Sequence, residues 1–120
     1  MSNPVTWFEI IGTDSNKLRE FYADVFGWKL SPPAPEMGNY STLDNENQGI
    51  GGGIGQTFGD GPSRVTIYIQ VDDPQAYLDK VEQAGGKTLM PVSKVMEGVT
   101  IAMFADPQGH VMGLLKAMPG

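Results

Sequence analysis

Several residue types are scarce in this chain of 120 residues. It contains no cysteine, which excludes disulfides, thiolate metal sites and a cysteine nucleophile. Its single histidine, His110, excludes a metal motif that needs two histidines from one chain. Basic residues are also few, because 8 Lys and Arg stand against 14 Asp and Glu and leave a net charge of -6. Nucleic acids and anionic membranes select basic surfaces, so the sequence predicts neither as a partner.

Long apolar runs are absent as well. No stretch of 18 apolar residues occurs, and Met1–Pro4 lacks both the basic start and the apolar segment of a signal peptide. We therefore expect an acidic, soluble, cytoplasmic protein. An apolar content of 40% is still enough for a hydrophobic core, and the length suits a single domain over residues 1–120.

Local signals predict two helices. Asp14 is suited to an N-cap, and Gly27 stands where a helix commonly ends. Asp73 is a second N-cap candidate and is followed by Pro74, which favours the first helical position. The apolar face predicted for the first helix consists of Leu18, Phe21, Tyr22, Val25 and Phe26.

The remaining pattern predicts short strands, and each half of the chain then has the order β-α-β-β-β. A shift of about 60 residues aligns Asp14 with Asp73 and Gly53 with Gly113, which indicates an internal duplication. Module one is predicted at residues 4–56, a linker at 57–63 and module two at 64–117. The predicted strands are Val5–Gly12, Trp28–Leu30, Asn39–Asp44, Gln48–Ile54, Arg64–Val71, Thr88–Pro91, Val99–Phe104 and His110–Lys116.

Alternation along the strands separates two faces. Phe8 and Ile10 point to one side of the first strand, whereas Trp7 and Glu9 point to the other. The wholly apolar sides are expected to lie under the helices. The mixed sides, to which Tyr68 belongs in module two, are then expected to line a pocket of aromatic and polar groups.

Three motifs resemble the vicinal oxygen chelate superfamily of glyoxalases, bleomycin-resistance proteins and extradiol dioxygenases. The resemblance runs from about Val5 to Lys116 and implies an α+β fold in which two paired βαβββ modules form a cupped mixed β-sheet. It also implies a homodimer, as in many relatives. The motifs are Phe8-Glu9-Ile10, Phe21-Tyr22 with Val25-Phe26-Gly27-Trp28, and Phe104 with Asp106-Pro107-Gln108-Gly109-His110.

The resemblance also implies one divalent metal, held by His, Gln or Glu on the first and last strands of each module. Those positions correspond here to Trp7, Gly53, Thr66 (or Ile67) and Gly113. The side chains at these positions are an indole, the single hydrogens of two glycines, and a hydroxyl or alkyl group, and such groups do not form a cation site. We therefore expect no metal and no other cofactor.

These substitutions favour a pocket shaped for an organic ligand. Gly53 and Gly113 would leave the pocket floor open, Trp7 would stack on a planar ligand, and Glu9 would supply charge. The alternatives are strand twist or a bulge for the glycines, burial in the core for Trp7, and pairing with a neighbouring strand for Glu9. The predicted ligand-binding residues are Trp7, Glu9, Gly53, Thr66, Tyr68, Met103 and Gly113.

Three functional hypotheses follow. The leading one is a metal-independent protein of the bleomycin-resistance type that binds or sequesters a small neutral or cationic organic compound. The second is a glyoxalase-like lyase or isomerase that uses Glu9 or His110 for proton transfer, although a turn position is favoured for His110. The third is an interaction module whose cup is filled by its own side chains.

Overall fold

A computed structural model describes residues 3–44, 49–57 and 61–117. The chain divides into two compact units. The first unit spans residues 7–66, and the second comprises residues 67–117 together with the N-terminal residues up to Thr6. None of the helices within these described ranges is long and apolar enough to cross a membrane.

The first unit has the predicted β-α-β-β-β order. Its strands lie in the order β2-β3-β4-β1, with β1 parallel to β4 and the other neighbours antiparallel. A short 3₁₀ turn at Pro35–Met37 separates β2 from β3. The elements are β1 (Val5–Gly12), α1 (Ser15–Phe26), β2 (Lys29–Leu30), β3 (Ser41–Asp44) and β4 (Gly51–Gln56).

Both predicted ends of α1 are confirmed. The Asp14 carboxylate accepts a hydrogen bond of 3.1 Å from the Lys17 backbone N–H, which satisfies one of the unpaired donors at the helix start. Gly27 adopts φ +69° and donates its N–H to the Ala23 carbonyl. That left-handed conformation carries a steric cost for most residues other than glycine.

The apolar face of α1 is only partly buried. Tyr22 stacks on Trp28 with ring centroids 4.9 Å apart. Phe21, Val25 and Phe26 are instead exposed, at 54%, 56% and 62%. At 100° per residue, Tyr22 and Val25 lie at equal angles on either side of the middle of the five-residue stripe. Tyr22 is half-buried whereas Val25 is exposed, so the buried side of the helix is displaced from the stripe towards Tyr22.

The second unit repeats the order with β5 (Arg64–Val71), α2 (Pro74–Gln83), β6 (Lys87–Met96), β7 (Val99–Ala105) and β8 (Val111–Lys116). β5 begins in the first unit and continues in the second, where the strand order is β5-β8-β7-β6. Asp73 caps α2 and Pro74 occupies its first turn, as predicted. The core under α2 contains Val71, Leu78, Ala102, Phe104 and Leu114. The predicted α+β fold with two βαβββ modules is therefore confirmed.

Several strand boundaries differ from the prediction, and the largest differences are at β6 and β4. β6 continues through Pro91 to Met96. It is an outer strand with register shifts between Thr88 and Met96, and strands of this kind tolerate a proline, which cannot donate a backbone hydrogen bond. β4 begins at Gly51 and not at Gln48, which lies outside the described residues. The predicted linker at 57–63 also falls partly outside them.

Candidate ligand-binding site

In the first unit, the parallel register of β1 and β4 brings predicted site residues onto one face. Trp7 pairs with Gly51, and Glu9 pairs with Gly53. Paired residues on neighbouring strands project to the same side of a sheet, and residues two apart on one strand share that side. Trp7, Glu9 and Gly53 therefore lie on a common face, opposite to the face that carries Phe8 and Ile10.

The Trp7 indole is fixed in position by two contacts. Its Nε1–H donates a hydrogen bond of 3.0 Å to the Tyr40 hydroxyl. Its six-membered ring covers Gly51, where an added β-carbon would come within 2.8 Å of Trp7 Cζ3. The side chain is half-buried, so it is neither a core residue nor a mobile surface residue. A large planar surface is thus held in one orientation.

The prediction that Gly53 leaves an open pocket floor is wrong. The Tyr40 ring occupies the space above it, because a β-carbon at Gly53 would lie 2.1 Å from the Tyr40 hydroxyl oxygen. The same ring covers Gly55, with a distance of 2.8 Å from an added β-carbon to Tyr40 Cδ1. The glycines of β4 thus lie directly under aromatic rings, those of Trp7, Phe8 and Tyr40.

Glu9 is paired with a cation, so the pairing interpretation of this residue is confirmed. Its Oε1 lies 2.9 Å from Nη2 of Arg64, and the same guanidinium donates from Nη1 to the Thr66 hydroxyl at 2.9 Å. The Glu9 side chain is 13% exposed and the Arg64 side chain is 31% exposed. Arg64 therefore joins two predicted site residues, Glu9 and Thr66.

Arg64 was not predicted as a site residue. Its position on β5 has the same parity as Thr66 and Tyr68, which places it on the mixed face. A single arginine on the mixed face of one strand and a single glutamate on the mixed face of another could have indicated the pair. Their proximity depends on how the strands are placed, which the sequence pattern does not specify.

In the second unit, the other predicted residues form their own row. Tyr68 pairs with Gly113 across β5 and β8, and Gly113 pairs with Met103 across β8 and β7. Tyr68 is 3% exposed, and its ring fills the space above Gly113, where an added β-carbon would lie 2.3 Å from Tyr68 Cδ2. The prediction of an open floor at Gly113 is therefore also wrong. Met103 is half-buried beside this filled position.

His110 occupies a turn, as the favoured interpretation expected. The Asp106 carboxylate accepts backbone N–H bonds of 2.9 Å from both Gln108 and His110, and the His110 imidazole Nδ1 lies 3.0 Å from Asp106 Oδ2. These bonds, of which that from the His110 N–H contributes most, lower the pKa of Asp106. The His110 side chain is 72% exposed. Its observed partner is the Asp106 carboxylate, which organises the turn.

The residues at the positions that the family resemblance assigns to metal ligands do not fit a divalent cation. The Trp7 indole nitrogen is a donor engaged with Tyr40, and tyrosine rings cover both Gly53 and Gly113. Over residues 3–44, 49–57 and 61–117, no group of three or more His, Cys, Asp or Glu side chains is close enough to hold a metal ion. The chemistry available here is stacking, hydrogen bonding and one ion pair.

The chain is similar to several known proteins. It is 28% identical over 116 residues to a Mycobacterium tuberculosis protein named as a glyoxylase, covering 92% of this chain and 44% of that protein. It is 28% identical over 125 residues to an anthracycline biosynthesis protein of Streptomyces peucetius, covering 92% of this chain and 46% of that protein. The chain thus spans less than half the length of these curated relatives.

A solved structure shows the same fold. A glyoxalase/bleomycin resistance protein/dioxygenase superfamily member from Vibrio splendidus aligns with a TM-score of 0.66 at 17% identity, over 97% of this chain and 100% of that one. The glyoxalase-like domain family matches residues 9–115. This chain therefore belongs to the glyoxalase-like domain family, within the vicinal oxygen chelate superfamily that its sequence motifs resemble.

Proposed function

We propose that this protein binds a small, planar organic compound without the help of a metal ion. The observation that carries the proposal is the Trp7 indole, which is half-buried, hydrogen-bonded to Tyr40 and held against Gly51. An aromatic surface that is already fixed loses little conformational freedom when a ligand stacks on it. Offset stacking contributes about 0.5–1.5 kcal/mol beyond the area that it buries.

Polar groups beside the indole would orient such a ligand. Glu9, Arg64 and Thr66 form a connected hydrogen-bonded set on the same face of the first unit. A few fixed polar groups next to an aromatic surface are the usual composition of a small-molecule site. A protein that only binds its ligand needs no catalytic group. A ligand can stack on Trp7 while the ion pair and hydrogen bond of Glu9, Arg64 and Thr66 stay intact.

Fluorescence titration of single-tryptophan variants tests the proposal. The chain has two tryptophans, so Trp28→Phe leaves Trp7 as the only indole and Trp7→Phe leaves Trp28. We expect planar aromatic compounds, with an anthracycline among them because of the Streptomyces peucetius relative, to quench the Trp28→Phe variant. The Trp7→Phe variant is the matched control and should bind severalfold more weakly by calorimetry, because a phenyl ring offers a smaller stacking surface than an indole. Equal affinities in the two variants would contradict the proposal.

An isomerase or lyase is the competing function, with Glu9 or His110 as the group that moves a proton. The Glu9 carboxylate is occupied by Arg64 at 2.9 Å, and His110 is held by Asp106 at an exposed turn. Both arrangements favour a structural role for these side chains. Chemical conversion of a bound compound, abolished by Glu9→Gln, would replace the binding proposal with this one.

We also propose that the protein acts as a cytoplasmic homodimer, as its family resemblance implies. Sedimentation velocity over a range of protein concentrations tests the dimer, because a dimer of this chain has twice the mass of 12.9 kDa. A single species of monomer mass at all concentrations would contradict it.

A further inference from the structure

We infer that Arg64, and not Glu9, determines the charge of the ligand, and that the site prefers an aromatic carboxylate to a neutral or cationic compound. This inference rests on the proposed binding at Trp7 and adds the chemical class of the compound. It reverses the expectation from the net charge of -6, which favours cationic or neutral compounds. The local arrangement of the two charges carries the argument.

The exposures show which charge a ligand would meet. Both members of the ion pair lie on the face that bears Trp7, but Arg64 is 31% exposed and Glu9 only 13% exposed. The Glu9 side chain is therefore the more deeply buried partner and the Arg64 side chain the more accessible one. A ligand that stacks on Trp7 approaches a positive group whose negative partner lies further from solvent.

The geometry of Arg64 leaves donors for an anion. A guanidinium has five N–H groups in a fixed plane, and its observed bonds are from Nη2 to Glu9 and from Nη1 to Thr66. Those two bonds hold the group in place, so a carboxylate that binds to it does not have to order a flexible side chain. Charge-assisted bonds of this kind are also stronger than neutral hydrogen bonds.

Glu9 then acts as a positioning residue for Arg64. It holds the guanidinium at 2.9 Å but also cancels part of its charge. The substitution Glu9→Gln keeps a side chain of similar shape but removes its negative charge. The positive charge of Arg64 is then no longer compensated by a carboxylate. An anion should therefore bind more tightly to Glu9→Gln than to the unaltered protein, whereas loss of a merely structural contact would weaken binding.

Three naphthalene compounds with one ring system and different charges test the inference. The probes are 2-naphthoate, 2-naphthalenemethanol and the ammonium form of 2-(aminomethyl)naphthalene, titrated by calorimetry at pH 7. We expect 2-naphthoate to bind about tenfold more tightly than the alcohol, with the ammonium compound the weakest. Arg64→Gln should abolish the difference between carboxylate and alcohol. Arg19→Gln changes the only other arginine and should preserve it.

The outcomes separate this inference from the proposed function. Equal binding of carboxylate and alcohol, both dependent on Trp7, would overturn the charge preference and leave the proposed function in place. Tightest binding of the ammonium compound, or a carboxylate preference that survives Arg64→Gln, would also overturn it. Failure of all three to bind at Trp7 would overturn both. If Arg64→Gln does not fold, Glu9→Gln decides, because tighter naphthoate binding supports the inference and weaker binding overturns it.

Discussion

The substitution Gly113→Ala tests whether tyrosine rings fill the space above the two glycines. A β-carbon at Gly113 would lie 2.3 Å from Tyr68 Cδ2, whereas ordinary van der Waals contacts begin near 3.4 Å. The ring must therefore move by roughly 1 Å, and at 3% exposure it has little room to do so. Overpacking of this kind costs about 1–3 kcal/mol, and the short distance favours about 3 kcal/mol here. The melting temperature should fall by roughly 10 °C.

Urea denaturation of a double-mutant cycle measures the effect. Tyr68→Ala should itself cost about 3–5 kcal/mol, because it removes a large buried side chain. Added to Tyr68→Ala, the Gly113→Ala change should cost about 0 kcal/mol, because the ring it would strike is gone. An equal cost of Gly113→Ala in both backgrounds would refute the reasoning, and so would a negligible cost in the unaltered protein.

Three further substitutions test other contacts. Ser41→Ala should stabilise the protein by about 1 kcal/mol in urea unfolding, since this fully buried hydroxyl has no hydrogen-bond partner among the described residues. Destabilisation would contradict a cost of burying this hydroxyl. Asp14→Ala should destabilise it by about 1 kcal/mol through loss of the α1 cap, and an unchanged midpoint would argue against that cap. Asp106→Asn should destabilise it near neutral pH. Folding lowers the pKa of Asp106 below its ordinary value of 3.8, so the carboxylate stabilises the fold at pH values above 3.8. This stabilisation is lost as the pH falls through the lowered pKa. The difference in stability between the variant and the unaltered protein should therefore vanish in strong acid. A difference independent of pH would contradict this origin.

The parts of the fold that depend on neighbouring residues were predictable from the sequence. Asp14 and Asp73 accept bonds from N–H groups three residues further on, and Gly27 takes a backbone conformation that few other residues tolerate. Each of these contacts is set within a few positions of the chain. The β-α-β-β-β order of each half was predictable for the same reason, since it follows from such helix ends and from strand alternation.

The site was less predictable because its contacts are distant in sequence. Gly53 is covered by Tyr40, which directly precedes β3, the antiparallel neighbour of β4. Gly113 is covered by Tyr68, which lies on β5, the parallel neighbour of β8. Equivalent glycines of the two halves are thus filled from different directions, and alternation alone does not specify which ring reaches them. The pairing of Glu9 with Arg64, 55 positions away, likewise depends on strand placement.

The most direct test of ligand capture at Trp7 is a ¹H–¹⁵N spectrum of the two indole N–H groups during titration with 2-naphthoate. Each tryptophan contributes one indole signal, and Trp7→Phe assigns them. We expect the Trp7 signal, whose N–H donates to Tyr40, to shift progressively and saturate while the Trp28 signal stays in place. A Trp7 signal that does not move at millimolar naphthoate, or movement of the Trp28 signal alone, would contradict binding at this face.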